Sequence, residues 1–260
     1  MNASTPSAAV AAFVSGKARG PIPAEVTAVG REVLTSVTGR ISANTASPLA
    51  TQVGATMAAL GHGGKTRVPG SSETYSPYGA AFVMGVAAGR DGAQPWAGAT
   101  VAAALAASSL TQAGPDRLTE GITVGLEVAA RLSACLGDSH TRRGWDPAGS
   151  LGVVGAALAV ARLLEAEEPQ ALEALAFAAT QAAGLGAQST TPTGAVHVGK
   201  AAADGLEAAR LGLAHLGAPA EPIEGRRGMG ALMSDALTAA ALVSGLGSRW
   251  VLLESAAGGS

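Results

Sequence analysis

The sequence predicts an all-α fold. Three observations predict it. Apolar residues recur at helical spacing in eight or so stretches, alternating apolar and polar stretches are almost absent, and aromatic residues are scarce. With 48% hydrophobic but only 3% aromatic residues and 36 glycines, the core has to be built by close approach of helices bearing small side chains. A chain of 260 residues can bury one large core, and nothing divides it into two comparable halves, so one domain spanning residues 1–260 is expected.

The elements follow in order. In PIPAEVTAVGREVLTSVTG, Pro23 precedes apolar positions at Val26, Val29, Val33 and Val37, which predicts a helix entered from an extended turn. LATQVGATMAALG is a second helix stopped at GHGG, where glycine permits a left-handed turn. KTRVPGSSETYS reads as a loop, and Pro77 then opens the helix YGAAFVMGVAAG, which ends at Arg90 and Asp91 in a Gly/Pro-interrupted connection. ATVAAALAASSL is a fourth helix. AGPD offers Asp116 as the cap of the clearest amphipathic stretch, with Leu118, Ile122, Leu126, Ala129 and Leu132 on one face and Glu127 four residues before Arg131. The polar loop GDSHTRRGWDPAG separates it from LGVVGAALAVARLLEAE, and EEPQALEALAFAATQAAGLG supplies another helix. QSTTPTGAVHVG reads as a second polar loop before the helix KAAADGLEAARLGLAHLG. SDALTAAALVSGLG is a short helix, and the apolar WVLL after it is a candidate strand stub without visible sheet partners.

Composition excludes several classes of function. A net charge of -2 without an aromatic-flanked basic cluster argues against nucleic acid. The apolar runs are interrupted before membrane-spanning length and no basic leader precedes AAVAAFV, so a cytoplasmic protein that does not cross a membrane is expected. The single Cys135 falls on the buried side of a helix and reads as an inert core thiol. Four scattered histidines form no metal-ligand motif and no glycine-rich phosphate loop follows a strand, so neither metal nor other cofactor is expected. Only 14% of residues are charged, which predicts that part of the surface is covered in a homo-oligomer, by default a dimer.

Several stretches, taken in their order, resemble the first domain of the MmgE/PrpD family: GHGGKTRVPG from Gly61, SPYGAAFVMG from Ser76, GLEVAARL from Gly125, HTRRGWDPAG from His140, HVGKAAADGLEAARLGLAHLGAP from His197, EGRRGM from Glu224 and LVSGLGSRWVLL from Leu242. The family includes 2-methylcitrate dehydratase, cis-aconitate decarboxylase and iminodisuccinate epimerase. The resemblance implies a multi-helix domain that family members usually pair with a smaller α+β lid over a shared cleft; Ser260 falls where that lid would begin, so a repurposed helical domain without its lid is expected. It also implies proton transfer at carbon beside a carboxylate, which needs a base and cationic or hydrogen-bonding anchors.

The same resemblance nominates three loops. His140, Arg143 and Gly144 fit the family pattern H..RG(W/F)H, with Asp146 in place of the final histidine, so either the base has changed identity or proton transfer has been abandoned. Arg142 and Arg143 either anchor substrate carboxylates or clasp the loop through Asp138 or Asp146. His197, Gly199, Ala201 and Gly205 fit K.LHAG..A..G, but Gly194 stands where family enzymes commonly carry a lysine; Lys200 follows at the helix start. His197 is either a general base or a histidine that bonds the loop backbone at the start of its helix. In the third loop Met84 replaces an asparagine and Asp91 is the surviving carboxylate, either a cleft residue or the partner of Arg90. Tyr78 and Trp96 are weighed as substrate contacts against ordinary packing.

The catalytic set is therefore His197, Asp146, Asp91 and His140, with Arg143, Arg142, Lys200, Tyr78 and Trp96 as substrate-binding candidates. The leading expectation is a cofactor-independent lyase, isomerase or cyclase acting on a small organic, carboxylate-bearing biosynthetic substrate. The alternative is a catalytically degenerate binding or scaffold module that pairs with itself or with a separate lid-bearing partner.

Overall fold

The computed structural model describes residues 4–18 and 20–257, and these form a helical assembly with one small hairpin. Proline at the start of the helices organises it. The chain enters α1 (Pro6–Ser15), α3 (Pro48–Ala59) and α4 (Pro77–Ala88) through Thr5, Ser47 and Ser76, whose hydroxyls accept from Ala8, Ala50 and Gly79 N–H at 3.2, 3.3 and 3.2 Å. Each cap satisfies an amide the first turn leaves orphaned, while the proline has none to lose. The other long helices are α2 (Ala24–Asn44), α5 (Ala97–Ala107), α6 (Pro115–Arg142), α8 (Gly152–Leu163), α9 (Glu168–Gln181) and α10 (Ala195–Leu213), with a four-residue α7 (Pro147–Ser150) between α6 and α8. Short helices α11 (Met229–Met233), α12 (Ala239–Val243) and α13 (Val251–Ala257) complete the order.

Helices α4, α5 and α8 are buried on nearly every face, as helices apolar all round should be, and α6 and α10 pack beside them with one amphipathic face inward. Glycine sets their spacing. A Cβ on Gly85 of α4 would stand 2.7 Å from the Gly199 Cα of α10, and one on Gly125 of α6 would stand 2.3 Å from the Gly155 carbonyl of α8. Side chains at either place would force the backbones apart.

Several boundaries differ from the sequence reading. Residues 65–76, expected as a loop, contribute most of the antiparallel hairpin β1 (Gly63–Arg67) and β2 (Thr74–Tyr75), because Thr74 and Tyr75 find backbone partners across the turn. Asp116 is not the cap of α6; Gly114 holds that position and Asp116 lies in the first turn, where its charge meets the positive end of the helix. Helix α6 also runs past Gly137 to Arg142, through a residue expected to begin a loop. Gly137 breaks the helix with φ +60°, and the carbonyls released on its inner side are taken up elsewhere: Thr238 N–H donates to Cys135 O at 2.8 Å and Ser234 Oγ to Leu136 O at 2.7 Å. WVLL is not a strand stub; Val251 begins α13.

The Glu127–Arg131 pair anticipated on α6 is fully buried at 2.6 Å and holds the carboxyl-terminal segment. Arg131 donates to the carbonyls of Ser244 at 2.9 Å and Arg249 at 2.6 Å, while Glu127 accepts from the N–H groups of Val251 at 3.1 Å and Leu252 at 2.9 Å. Each buried charge is thereby paired and its remaining hydrogen-bonding capacity largely used, the condition under which such burial is tolerated. No helix among the described residues is long and apolar enough to cross a membrane.

Candidate active site

Two side chains, Arg90 and His197, meet at the fully buried carboxylate of Asp146. Gly89 ends α4 with φ +64° and turns the chain so that Arg90 reaches back across it. Asp146 caps α7, its Oδ1 accepting from Ala148 N–H at 3.1 Å. Its own N–H donates to Gly184 O at 3.1 Å, and Gly186 N–H to Gly144 O at 2.7 Å, so segments 144–146 and 184–186 lie against each other. His197 lies in the first turn of α10, because that helix starts at Ala195, inside the stretch expected to be loop. Its Nδ1 donates to Asp146 Oδ2 at 2.6 Å, and Arg90 Nη1 reaches both carboxylate oxygens at 2.5 Å.

Burial pushes the Asp146 carboxyl up, but the hydrogen bonds from His197, Arg90 and Ala148 N–H and the charge of Arg90 outweigh it, and the group is held below the usual carboxylate range. Asp146 is therefore ionised and accepts only, which assigns the proton to His197 Nδ1 in the neutral ring and leaves Nε2 as the basic nitrogen. The His197 side chain is 17% exposed, enough to be reached from outside. It borders a depression of about 20 Å³ with Lys200, Gln181, Gly184 and Asp204, room for roughly one water molecule.

Lys200 lies one turn beyond His197, and its ammonium pairs with Asp204 while its side chain stays 52% exposed. Tyr78 donates to the other oxygen of Asp204 at 2.9 Å and stacks on His62 with ring centroids 4.9 Å apart. Burial, then the charge of Asp204, then the hydrogen bond to it, hold the Tyr78 phenol far above its ordinary value, so it remains a donor. Tyr78 thus touches Asp204 across the α4–α10 contact.

The remaining candidates lie elsewhere. His140 is buried, with Nδ1 donating to Met233 O at 3.2 Å and Nε2 2.7 Å from Ser150 Oγ. Burial holds its pKa below the ordinary histidine value despite the Met233 bond and the charge of Asp146, so the neutral ring is favoured, and Nε2 shares the Ser150 hydroxyl with the Asp146 carbonyl, which lies 2.9 Å from Ser150 Oγ. Both nitrogens are used. Asp91 pairs with Arg40 at 3.3 Å and accepts from Ala93 and Gln94 N–H at 3.1 and 3.3 Å, which makes it the hinge of its own turn. Arg143 pairs with Asp235 rather than with Asp138 or Asp146, and Arg142 is exposed. Trp96 is buried beside a separate recess of about 330 Å³ that it shares with His140 and Gly137. Among the described residues no three His, Cys, Asp or Glu side chains are grouped so as to hold a metal ion.

Sequence reasoning left Asp91 as either a cleft residue or the partner of Arg90; the structure gives Arg90 to Asp146 and Asp91 to Arg40. Asp204 and Gln181 were passed over. The spacing of His197, Lys200 and Asp204 places them on one face of α10, a signal that was available without coordinates. As a unit, the cluster is an imidazole with one nitrogen oriented by an ionised carboxylate and the other free, beside a lysine: the parts of a proton-transfer site. A family model described as MmgE/PrpD N-terminal domain matches residues 8–241. No curated protein matches the chain.

Proposed function

The chain belongs to the MmgE/PrpD family, whose membership suggests a dehydratase- or lyase-like activity, and from that premise we propose that it catalyses cofactor-independent proton transfer on a small carboxylate-bearing molecule, with His197 as the base. The observation that carries this reading is the 2.6 Å bond from His197 Nδ1 to buried, ionised Asp146, with Nε2 left free beside Lys200. His197 Nε2 takes a proton from carbon next to the substrate carboxylate. The electron pair moves onto the carboxylate as an enediolate, whose charge Lys200 stabilises. It then returns either to expel a leaving group on the neighbouring carbon, which is elimination, or to take a proton from water on the opposite face of the carbon while the imidazolium gives its own proton to solvent, which is isomerisation. Asp146 fixes the tautomer and offsets the charge of the imidazolium as it forms, and Arg90 holds Asp146 in place. Asp146, where the family pattern has a histidine, thus becomes the partner of the base.

A second reading is favoured by the size of the depression. At about 20 Å³ it is far below the roughly 300–1,000 Å³ of pockets that enclose a small molecule, which suits a binding module whose cleft closes against itself or another polypeptide. One experiment separates the two. The purified protein is incubated with hydroxy- and unsaturated carboxylic acids in D2O, and loss of carbon-bound protons is followed by NMR. The enzyme reading expects exchange by the protein alone, reduced at least about a hundredfold in His197→Gln and Asp146→Asn, the lower range for an oriented base. Undiminished exchange in both variants rejects His197, and no exchange except with an added partner protein favours the module.

A further inference from the structure

The geometry points to a second binding site, a groove for an amphipathic monoanion whose lining shares no residue with the depression beside His197. This groove has a volume of about 770 Å³, well within the roughly 300–1,000 Å³ typical of small-molecule sites. Ala176 and Ala179 of α9 form one wall, Met229 and Met233 of α11 another, and the half-buried ring of Trp145 a third. Short alanines on one side and polarisable methionines on the other leave an apolar slot suited to an aliphatic body.

Two further observations say what occupies it. Leu232, at the rim, is 62% exposed, and Leu185 and Leu216, on the segments that border the groove, are 64% and 62% exposed. Leu232 lines the groove itself, and Leu185 and Leu216 each stand three residues along the chain from a lining residue, Ala182 and Pro219, so apolar surface lies open in the groove and on the segments that lead from it. The groove also contains Arg227, whose guanidinium has no hydrogen-bond or ion-pair partner among the described residues. The neighbouring Arg226 adds a second exposed cation, against the single carboxylate of Glu221 on this rim. A ligand with an aliphatic chain and one terminal carboxylate meets both features: the chain lies against Ala179 and the methionines, and the carboxylate takes the Arg227 fork. The site does not depend on proton transfer at His197, and its ligand need not be the substrate.

The test uses octanoate and 1-octanol, read by tryptophan emission and by calorimetry. Trp145 lines the groove while Trp96 and Trp250 are buried elsewhere, so saturable octanoate binding should change the emission of the wild type and leave that of Trp145→Phe unchanged. Arg227→Gln should weaken octanoate about tenfold, the scale of one charge-assisted hydrogen bond to an exposed anion, and leave octanol unchanged. Ala179→Phe, which fills the slot, should abolish binding of both. The proposal is overturned by the absence of saturable binding, by wild-type affinity in Ala179→Phe, or by equal weakening of octanol in Arg227→Gln. Loss of octanoate binding in His197→Gln would place the ligand at the depression and overturn it as well.

Discussion

Replacing Arg131 with leucine should destabilise the protein by about 3–5 kcal/mol, the range for removing one member of a buried ion pair. The structure supplies the reason. Glu127 would lose its partner at a site where both side chains are fully buried, and the carbonyls of Ser244 and Arg249 would lose their donor. The bonds from Val251 and Leu252 N–H to Glu127 remain and keep the loss from growing larger. At roughly 2–4 °C per kcal/mol for a domain of this size, the midpoint of thermal unfolding should fall by roughly 6–20 °C. The damage should also be local. Hydrogen exchange by mass spectrometry should show residues 242–253 losing protection well before α4, α5 and α8, since Arg131 and Glu127 are what tie that segment to α6. Glu127→Leu combined with Arg131→Leu should recover part of the loss, because no unpaired charge stays buried. A midpoint within about 2 °C of wild type for Arg131→Leu, less than 1 kcal/mol on the same scale, would refute this account, as would unchanged protection of residues 242–253.

Three other outcomes follow from the same geometry. Because burial lowers the pKa of folded His140, the unfolded chain binds a proton that the folded protein resists; stability should be complete above about pH 6.5 and fall below it, and His140→Gln should flatten that slope in denaturant titrations from pH 7.5 to about 5. Asp146 is also depressed, so the stability it adds is present above the ordinary carboxylate value near 3.8 and is lost as pH falls through its folded value; Asp146→Asn should be less stable than wild type at pH 7 and approach it in acid. Gly125→Ala should cost about 1–3 kcal/mol in urea midpoint, since its Cβ would stand 2.3 Å from the Gly155 carbonyl and only backbone movement relieves it.

Much of this protein is visible before it folds. Threonine, serine or aspartate followed by proline marks the starts of α1, α3, α4 and α7, and the all-round apolar character of α5 and α8 identifies the centre of the core. The errors arise where partners lie outside the local sequence. Gly137 inside a polar run looks like the end of α6, yet the helix resumes because Thr238 and Ser234 supply donors from a hundred residues away, which no local pattern announces. The hairpin is a similar case, since β1 opens on two glycines, β2 is two residues long, and both exist by pairing.

The sequence by itself determined the long helices from α2 onward, the family, and the candidate residues Asp146, His197 and Lys200, because periodicity, capping and motif spacing all act over a few residues. Only the tertiary structure decided which of them work together. Arg90 and Asp146 lie 56 positions apart and Asp146 and His197 lie 51 apart, so their convergence depends on how α4, α7 and α10 pack. That packing gives Arg90 to Asp146 and commits Asp91 to Arg40. It also closes both nitrogens of His140 into the interior and leaves one nitrogen of His197 open. The same two histidines are equivalent as letters; burial and hydrogen-bond partners, which are properties of distance in space, make one a buried fixture and leave the other with an open nitrogen.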